Sequence, residues 1–199
     1  PDEAAARGAL DQLSGELHAS VRTATLETSH FVRDAATDRV RTAFCGVAAE
    51  APRTGQRAEG TRRSPGECGA ADRLTVWGQA FGSWGSTSSN DNAAKMDRAT
   101  GGFFVGADAP VFDTWRFGML AGYSRSDIRV DGRISSATSD DYHLGVYGGT
   151  QWGRLGLRAG ASHTWQDIGT SRAVGFAGFG QGLAADYRAG VTQAFGDLG

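Results

Sequence analysis

Apolar residues alternate with small or polar residues along the segment TWRFGMLAGYSRSD, residues 114–127. A period of two predicts a β-strand whose two faces meet different surroundings. One face would carry Trp115, Phe117, Met119, Ala121 and Tyr123. The opposite face would carry Arg116, Gly118, Leu120, Gly122 and Ser124. Such a strand fits a membrane barrel with lipid outside and water inside, and it also fits one layer of a soluble sandwich.

The same period of two begins at residue 74 and continues through the rest of the sequence, where it predicts about six strands. They are expected near residues 74–84, 101–111, 114–127, 141–152, 154–165 and 183–195. In the second strand, Phe103 and Val105 are expected to point outward and Asp108 inward. The last strand sets Tyr187 on one face and Arg188 on the other.

The connections between these strands are predicted to alternate in length. The long, polar connections are expected at residues 86–98, 128–140 and 169–182, and the tight ones at 110–113 and 151–153. Outer-membrane barrels have short periplasmic turns and longer external loops. Soluble sandwiches have no reason to follow this rule, so the asymmetry favours a barrel.

The N-terminal region has a different pattern. Between residues 2 and 44, apolar residues recur at steps of three and four, which predicts helix. Two interpretations remain open, an amphipathic helix packed on its neighbour and a charged helix threaded through a polar pore.

Residues 45–72 separate the helical and strand-forming regions. This segment is rich in Gly, Pro and Arg and poor in apolar residues, as linkers are. The cysteines of the chain, Cys45 and Cys68, bracket it. In an oxidising compartment they would close the loop as a disulfide, and otherwise they are two unpaired residues. The predicted organisation is therefore helix at 1–44, linker at 45–72 and a β-domain at 73–199.

Composition narrows the possible partners. The 199 residues include 30 glycines and carry a net charge of −2, so there is no basic footprint for nucleic acid. No window approaches the roughly 18 to 20 apolar residues of a membrane helix, whereas a membrane strand needs only about 9 to 11 residues.

The fold class that these patterns predict is mainly β. We expect the antiparallel meander of an outer-membrane β-barrel, preceded by an N-terminal α-helical linker. A barrel in lipid must close, and about six strands are fewer than the eight of small bacterial barrels. The sequence is therefore expected to cover about the first half of a barrel.

A search for catalytic chemistry gives no candidate. The sequence contains neither GxSxG nor HExxH. Its histidines are scattered over the predicted helix and strands: His18, His30, His143 and His163. Asp140 and Asp141 fit a solvated loop end better than a cation site. We predict no catalytic residue, no cofactor and no metal.

Several segments together resemble the translocator domain of bacterial autotransporters, the type V secretion family. They are ALDQLSGELHAS (9–20), HFVRDA (30–35), VWGQAFGSWG (76–85) and residues 170–199. The resemblance implies a passenger, then a helical linker that runs through the pore, then a barrel of about twelve strands in the outer membrane, within the known range of such barrels. It also implies passage of the passenger to the cell surface with the help of the outer-membrane assembly machinery and periplasmic chaperones.

Some family members cut the linker inside the barrel with an Asn and nearby acidic residues. Residues 31–45 contain no Asn, so this mechanism is not expected here.

The barrel interpretation assigns roles to charged and aromatic residues, from the strand alternation, the order of the turns and the charged faces of the helix. The predicted pore-lining residues are Asp108, Arg116, Arg158 and Arg188, and residues 21–34 of the helix are expected inside the lumen. Trp115 would mark the periplasmic interface and Tyr123 the outer one. The alternatives are a porin- or adhesin-type barrel that binds through external loops, and a soluble β-sandwich binding module.

Overall fold

The computed structural model describes residues 16–44, 73–87, 96–112, 114–130, 135–176 and 179–199. One helix, α1 (Glu16–Ala43), precedes the strands. The strands are β1 (Thr75–Thr87), β2 (Met96–Val111), β3 (Trp115–Val130), β4 (Ser135–Trp152), β5 (Leu155–Phe176) and β6 (Phe179–Leu198). The expected linker, with Cys45 and Cys68, lies outside the described residues.

The six strands form one antiparallel sheet in the order β1-β2-β3-β4-β5-β6. Each strand pairs with the next one in sequence, so the connectivity is a meander, and the predicted fold class is confirmed. The connections from β2 to β3 and from β4 to β5 lie at the same end of the sheet, called here the turn end. The opposite end is called the far end.

The alternation in β3 divides its residues between two faces as predicted. Leu120 is 2% exposed and Met119, its neighbour in sequence, is 61% exposed. Arg116 and Ser124 are buried on the side of Leu120. Because α1 covers that side, we call it the helix-facing side and the other the outer side.

The strands extend further at the far end than predicted. The expected long connections at 128–140 and 169–182 are mostly strand, and residues 131–134 and 177–178 alone separate the strands there. Ile128, Val130, Ala137 and Ile168 form a second buried cluster on the helix-facing side. The prediction of these two long loops was wrong because the outer residues there are polar, which hides the alternation.

Helix α1 packs on the sheet through an apolar stripe. Val32, Ala35, Ala36 and Val40 follow the three- and four-residue spacing of one helix face and are at most 2% exposed. They form the helix–sheet core with Trp77, Phe81, Phe104, Leu120 and Tyr147. Among the described residues, no helix has both the length and the apolar character needed to cross a membrane.

Candidate functional site: the interface between helix and sheet

A buried carboxylate on β2, Asp108, joins the helix to the sheet. Arg39 of α1 donates two hydrogen bonds to it, from Nε to Oδ2 at 2.6 Å and from Nη2 to Oδ1 at 2.9 Å. Arg116 of β3 also donates to Oδ1. The side chains of all three residues are at most 6% exposed. A buried charge is tolerated only when it is paired and hydrogen-bonded, and Asp108 meets both conditions.

Two aromatic side chains complete the surroundings of Asp108. The hydroxyl of Tyr147 donates to Asp108 Oδ2 at 2.9 Å, and Trp77 Nε1 donates to the Tyr147 oxygen at 2.6 Å. Gly118 makes room for them, because a Cβ at this position would lie 2.6 Å from both Asp108 Cβ and Tyr147 Cζ. The sheet therefore holds the acceptor for Arg39 in a fixed position.

A second ion cluster lies nearer the turn end. Arg41 of α1 and Arg158 of β5 both contact Asp197 Oδ2 of β6, at 2.6 and 2.7 Å. Asp197 is partly exposed, so this cluster is better solvated than that of Asp108. Together the two clusters hold the C-terminal end of α1 at the turn end of the sheet.

Three of the four residues predicted to line a pore lie on the helix-facing side. Asp108 and Arg116 are buried there, and Arg158 contacts Asp197 there. Arg188 was expected beside them but lies on the outer side. It pairs with Asp167 at 3.0 Å, and its side chain is 89% exposed.

The face of β6 was misassigned for a physical reason. The larger apolar residues of β6 were expected to face away from the pore. Phe195 instead packs against the helix–sheet core. Because α1 needs apolar partners on the sheet, the apolar side of a strand is not always its outer side.

Sequence reasoning missed the partners that α1 contributes. Arg39 and Arg41 lie near the end of the helix, where a cation is also favoured by the helix dipole. Asp108 lies 69 positions from Arg39 and Asp197 lies 156 positions from Arg41. The resemblance, which places a helix inside a barrel, was the one indication that arginines of the helix would meet acidic residues of the strands.

A polar network occupies the helix-facing side of the sheet towards the far end. His143 Nε2 lies 2.9 Å from Ser124 Oγ, and its Nδ1 lies 2.9 Å from Thr164 Oγ1. Ser124 Oγ also donates to Asp141 Oδ2 at 3.3 Å. In a catalytic triad the carboxylate orients the imidazole, whereas here a threonine hydroxyl holds Nδ1. The network therefore lacks the geometry of a serine nucleophile.

The outer side carries two groups of aromatic residues. Near the far end, cross-strand partners form a row of Phe103, Tyr123, Tyr142 and Trp165. Near the turn end, Trp115 packs on Phe117 and Trp152, with ring centroids 5.7 and 6.1 Å apart. Exposed apolar side chains lie between them, such as Met119, Leu144 and Val146.

Charged residues on the outer side lie beyond the far-end aromatic row. Asp140 accepts a hydrogen bond from Tyr123 at 2.5 Å and pairs with Arg125 at 3.3 Å. The Arg188–Asp167 pair lies in the same zone. The outer side thus changes from apolar to charged at the row.

The sequence matches the family described as Autotransporter beta-domain over residues 76–199. It is also similar to two proteins of Serratia marcescens, each named extracellular serine protease, with 38% and 36% identity over 188 residues. Each match covers 94% of this chain and 16% of the relative, so the chain spans about a sixth of the length of these relatives. The family match covers β2 to β6 and all of β1 except Thr75. The chain belongs to the autotransporter β-domain family, the outer-membrane β-barrels of type V secretion.

Proposed function

We propose that this chain anchors its parent protein in the outer membrane and serves as the translocator through which an N-terminal passenger reaches the cell surface. The observation that carries the proposal is the division of one sheet into two unlike faces. The outer side has an apolar band between aromatic groups, and the helix-facing side holds a charged helix. A soluble sandwich would not expose such a band to water.

The height of the band supports a membrane location. Trp115 and Tyr123 are eight residues apart on β3, which is about 26 Å along a strand. At the tilt of about 40° usual in membrane barrels, this becomes about 20 Å, close to the usual apolar band of about 25 Å. Aromatic residues mark membrane interfaces. The turn end would then face the periplasm and the far end the cell exterior.

The inner contacts support a helix inside the lumen. Arg39 and Arg41 tie the C-terminal end of α1 to the turn end, close to the start of β1. The helix runs from there towards the far end. On the way, Gln193 Nε2, which cross-strand pairing places level with Leu120, donates to Ser29 O at 2.9 Å. The chain before α1 would therefore leave the barrel on the exterior, where a passenger belongs.

The proposed partners follow from the family. They are the lipid of the outer membrane, the passenger, the outer-membrane assembly machinery and periplasmic chaperones. Because the relatives are named extracellular serine proteases, a secreted protease is our candidate for the passenger. The porin or adhesin alternative has no support in the family match.

Surface display of the passenger tests the proposal. The full-length parent protein would be expressed in a Gram-negative host with an epitope tag at the start of the passenger. We expect the β-domain in the outer-membrane fraction and the tag accessible to antibody on intact cells.

The matched control lacks residues 73–199. It should leave the tag inaccessible until the outer membrane is permeabilised. Surface display by this control, or a full-length protein that stays in the soluble fraction, would contradict the proposed function.

A further inference from the structure

The two connections at the turn end have the same left-handed backbone at one residue but carry different side chains there. Gly153, between β4 and β5, has a φ of 60°, and Phe112, which follows β2, has a φ of 61°. Glycine adopts this conformation at no steric cost, because it has no Cβ. For a bulky residue such as phenylalanine the same conformation is strained. The backbone at residue 112 therefore favours glycine, and the phenylalanine is there for its side chain.

The side chain of Phe112 contributes little to the packing of the sheet. It is 81% exposed, more than any other large apolar side chain in the part of the chain that the structure describes. Strained backbone that persists without a packing role is typical of functional positions. The ring is therefore available to a partner outside the chain.

Apolar side chains continue from Phe112 onto the outer side of the sheet. Val111, its neighbour in sequence, pairs with Trp115 across β2 and β3. The ring of Trp115 lies 6.1 Å from that of Trp152, measured between centroids. Val111 and Trp152 are 39% and 49% exposed. Phe112 thus extends by one residue the aromatic group that the proposed function places at the periplasmic interface.

The turn lies within reach of the lipid headgroups. One strand residue advances about 3.3 Å along the strand, which is about 2.5 Å across the membrane at a tilt of about 40°. The polar interfacial region adds about 5–7 Å to each side of the hydrocarbon core. One step beyond the pair of Val111 and Trp115 therefore falls inside this region. Phenylalanine side chains of interfacial segments insert at the same depth.

We propose that Phe112 inserts its ring into the periplasmic leaflet of the outer membrane and anchors the turn between β2 and β3 to the phospholipid. This inference rests on the membrane location given in the proposed function. A lipid surface fits better than a periplasmic protein, because the apolar side chains around Phe112 continue into the band that lipid would cover. The turn at Gly153 lacks such an anchor, since the next residue is the exposed cation Arg154.

Fluorine NMR of the full-length parent protein in phospholipid vesicles tests the proposal. In three separate proteins, para-fluorophenylalanine would replace Phe112, Arg154 or Val146. The replacement keeps the ring of Phe112, Arg154 is the matched control in the other turn, and Val146 reports on the apolar band. A water-soluble paramagnetic nickel chelate should broaden the signal at residue 112 several-fold less than the signal at residue 154. A spin-labelled phospholipid should broaden the signals at residues 112 and 146 and leave that at 154 sharp.

Equal broadening at residues 112 and 154 by the nickel chelate would overturn the anchor. If residue 146 is still protected in that case, the membrane location stands and a periplasmic protein becomes the partner of Phe112. If residue 146 is also reached by the chelate, the proposed function fails as well.

The variant Phe112→Gly gives a second measurement, because glycine relieves the strain and removes the ring together. A ring without a partner predicts that the urea midpoint in vesicles stays the same or rises. We expect the midpoint to fall, since the lost contact with lipid outweighs the relief of strain. An unchanged or higher midpoint would contradict the anchor.

Discussion

The two sides of this sheet are built from the same strands but differ in which residues they bury and which they expose. On the helix-facing side, Asp108 and Arg116 are buried and paired. On the outer side, Met119 and Val146 are 61% and 57% exposed although both are apolar. The outer side therefore exposes a contiguous apolar band, which a water-soluble domain rarely does. The difference shows that the exposed side is shaped for a solvent other than water.

Arg116 and Arg188 sharpen the comparison, because the same residue type lies on both sides. Arg116 is 3% exposed and bonds to Asp108. Arg188 is 89% exposed and pairs with Asp167 in the charged zone beyond the aromatic row. One arginine belongs to the interior and the other to the region outside the proposed membrane. Substitutions on the two sides should therefore lower the stability of the protein by different amounts.

The largest effect is expected on the helix-facing side, from Asp108→Ala. This change leaves the guanidinium groups of Arg39 and Arg116 buried without their shared carboxylate. Removing one partner of a buried ion pair costs about 3–5 kcal/mol. Urea unfolding of the full-length protein in detergent measures the loss. A cost no greater than that of Asp140→Asn would show that the buried cluster is not a structural support.

The next effect is expected on the outer side, from Val146→Arg in the middle of the apolar band. A cation at the midplane of a membrane barrel costs about 2–4 kcal/mol, and one near the interface costs about 0–1 kcal/mol. Thr138→Arg, on the same side of β4 but beyond the aromatic row, is the matched control. Unfolding from lipid vesicles measures both. Equal costs would argue that the band does not face lipid.

A smaller effect is expected from Arg39→Ala. Asp108 keeps Arg116 and Tyr147 when Arg39 is lost, so no charge is left wholly unpaired. Hydrogen bonds to charged groups contribute about 1.5–3 kcal/mol. Arg41→Ala should cost about 1 kcal/mol or less, since its pair is partly exposed. Protease sensitivity of the linker and urea unfolding would rank the two variants, and the reverse order would contradict the roles given to them.

The smallest effect is expected from Arg188→Gln. An exposed ion pair contributes little, so neither stability nor membrane insertion should change. The urea midpoint and the gel mobility shift on heating would record this. A marked loss would mean that Arg188 does face the pore in the assembled barrel, as the sequence suggested.

The middle of β3 was predictable because large apolar residues mark one face there. The far ends were not, since small polar residues alternate with other polar ones. Ser136 and Thr138 point outward while Ala137 and Ser139 are buried, and no contrast in hydrophobicity separates them. For this reason, two long loops were predicted where the structure has mostly strand.

In the candidate site, the residues of the sheet were predictable from the sequence and those of the helix were not. Asp108 and Arg116 stood out as charges on the small-residue face of strands. Their helical partner Arg39 looked like any solvated arginine, because a sequence does not show which distant carboxylate a side chain meets. Arg188 was placed on the wrong face, since the pattern of β6 alone does not show that α1 draws Phe195 inward.

The most direct test of the account asks whether α1 lies against the helix-facing side in the membrane-inserted protein. Cysteines would be placed at Ser29 and Gln193, whose groups are in contact, in a background with Cys45→Ser and Cys68→Ser. The control pair is Ser29 with Thr192, the neighbouring residue on the outer side. With a short bifunctional thiol reagent, we predict crosslinking of the Gln193 pair and none of the Thr192 pair. Equal crosslinking of both pairs, or of the Thr192 pair alone, would contradict a helix inside the barrel.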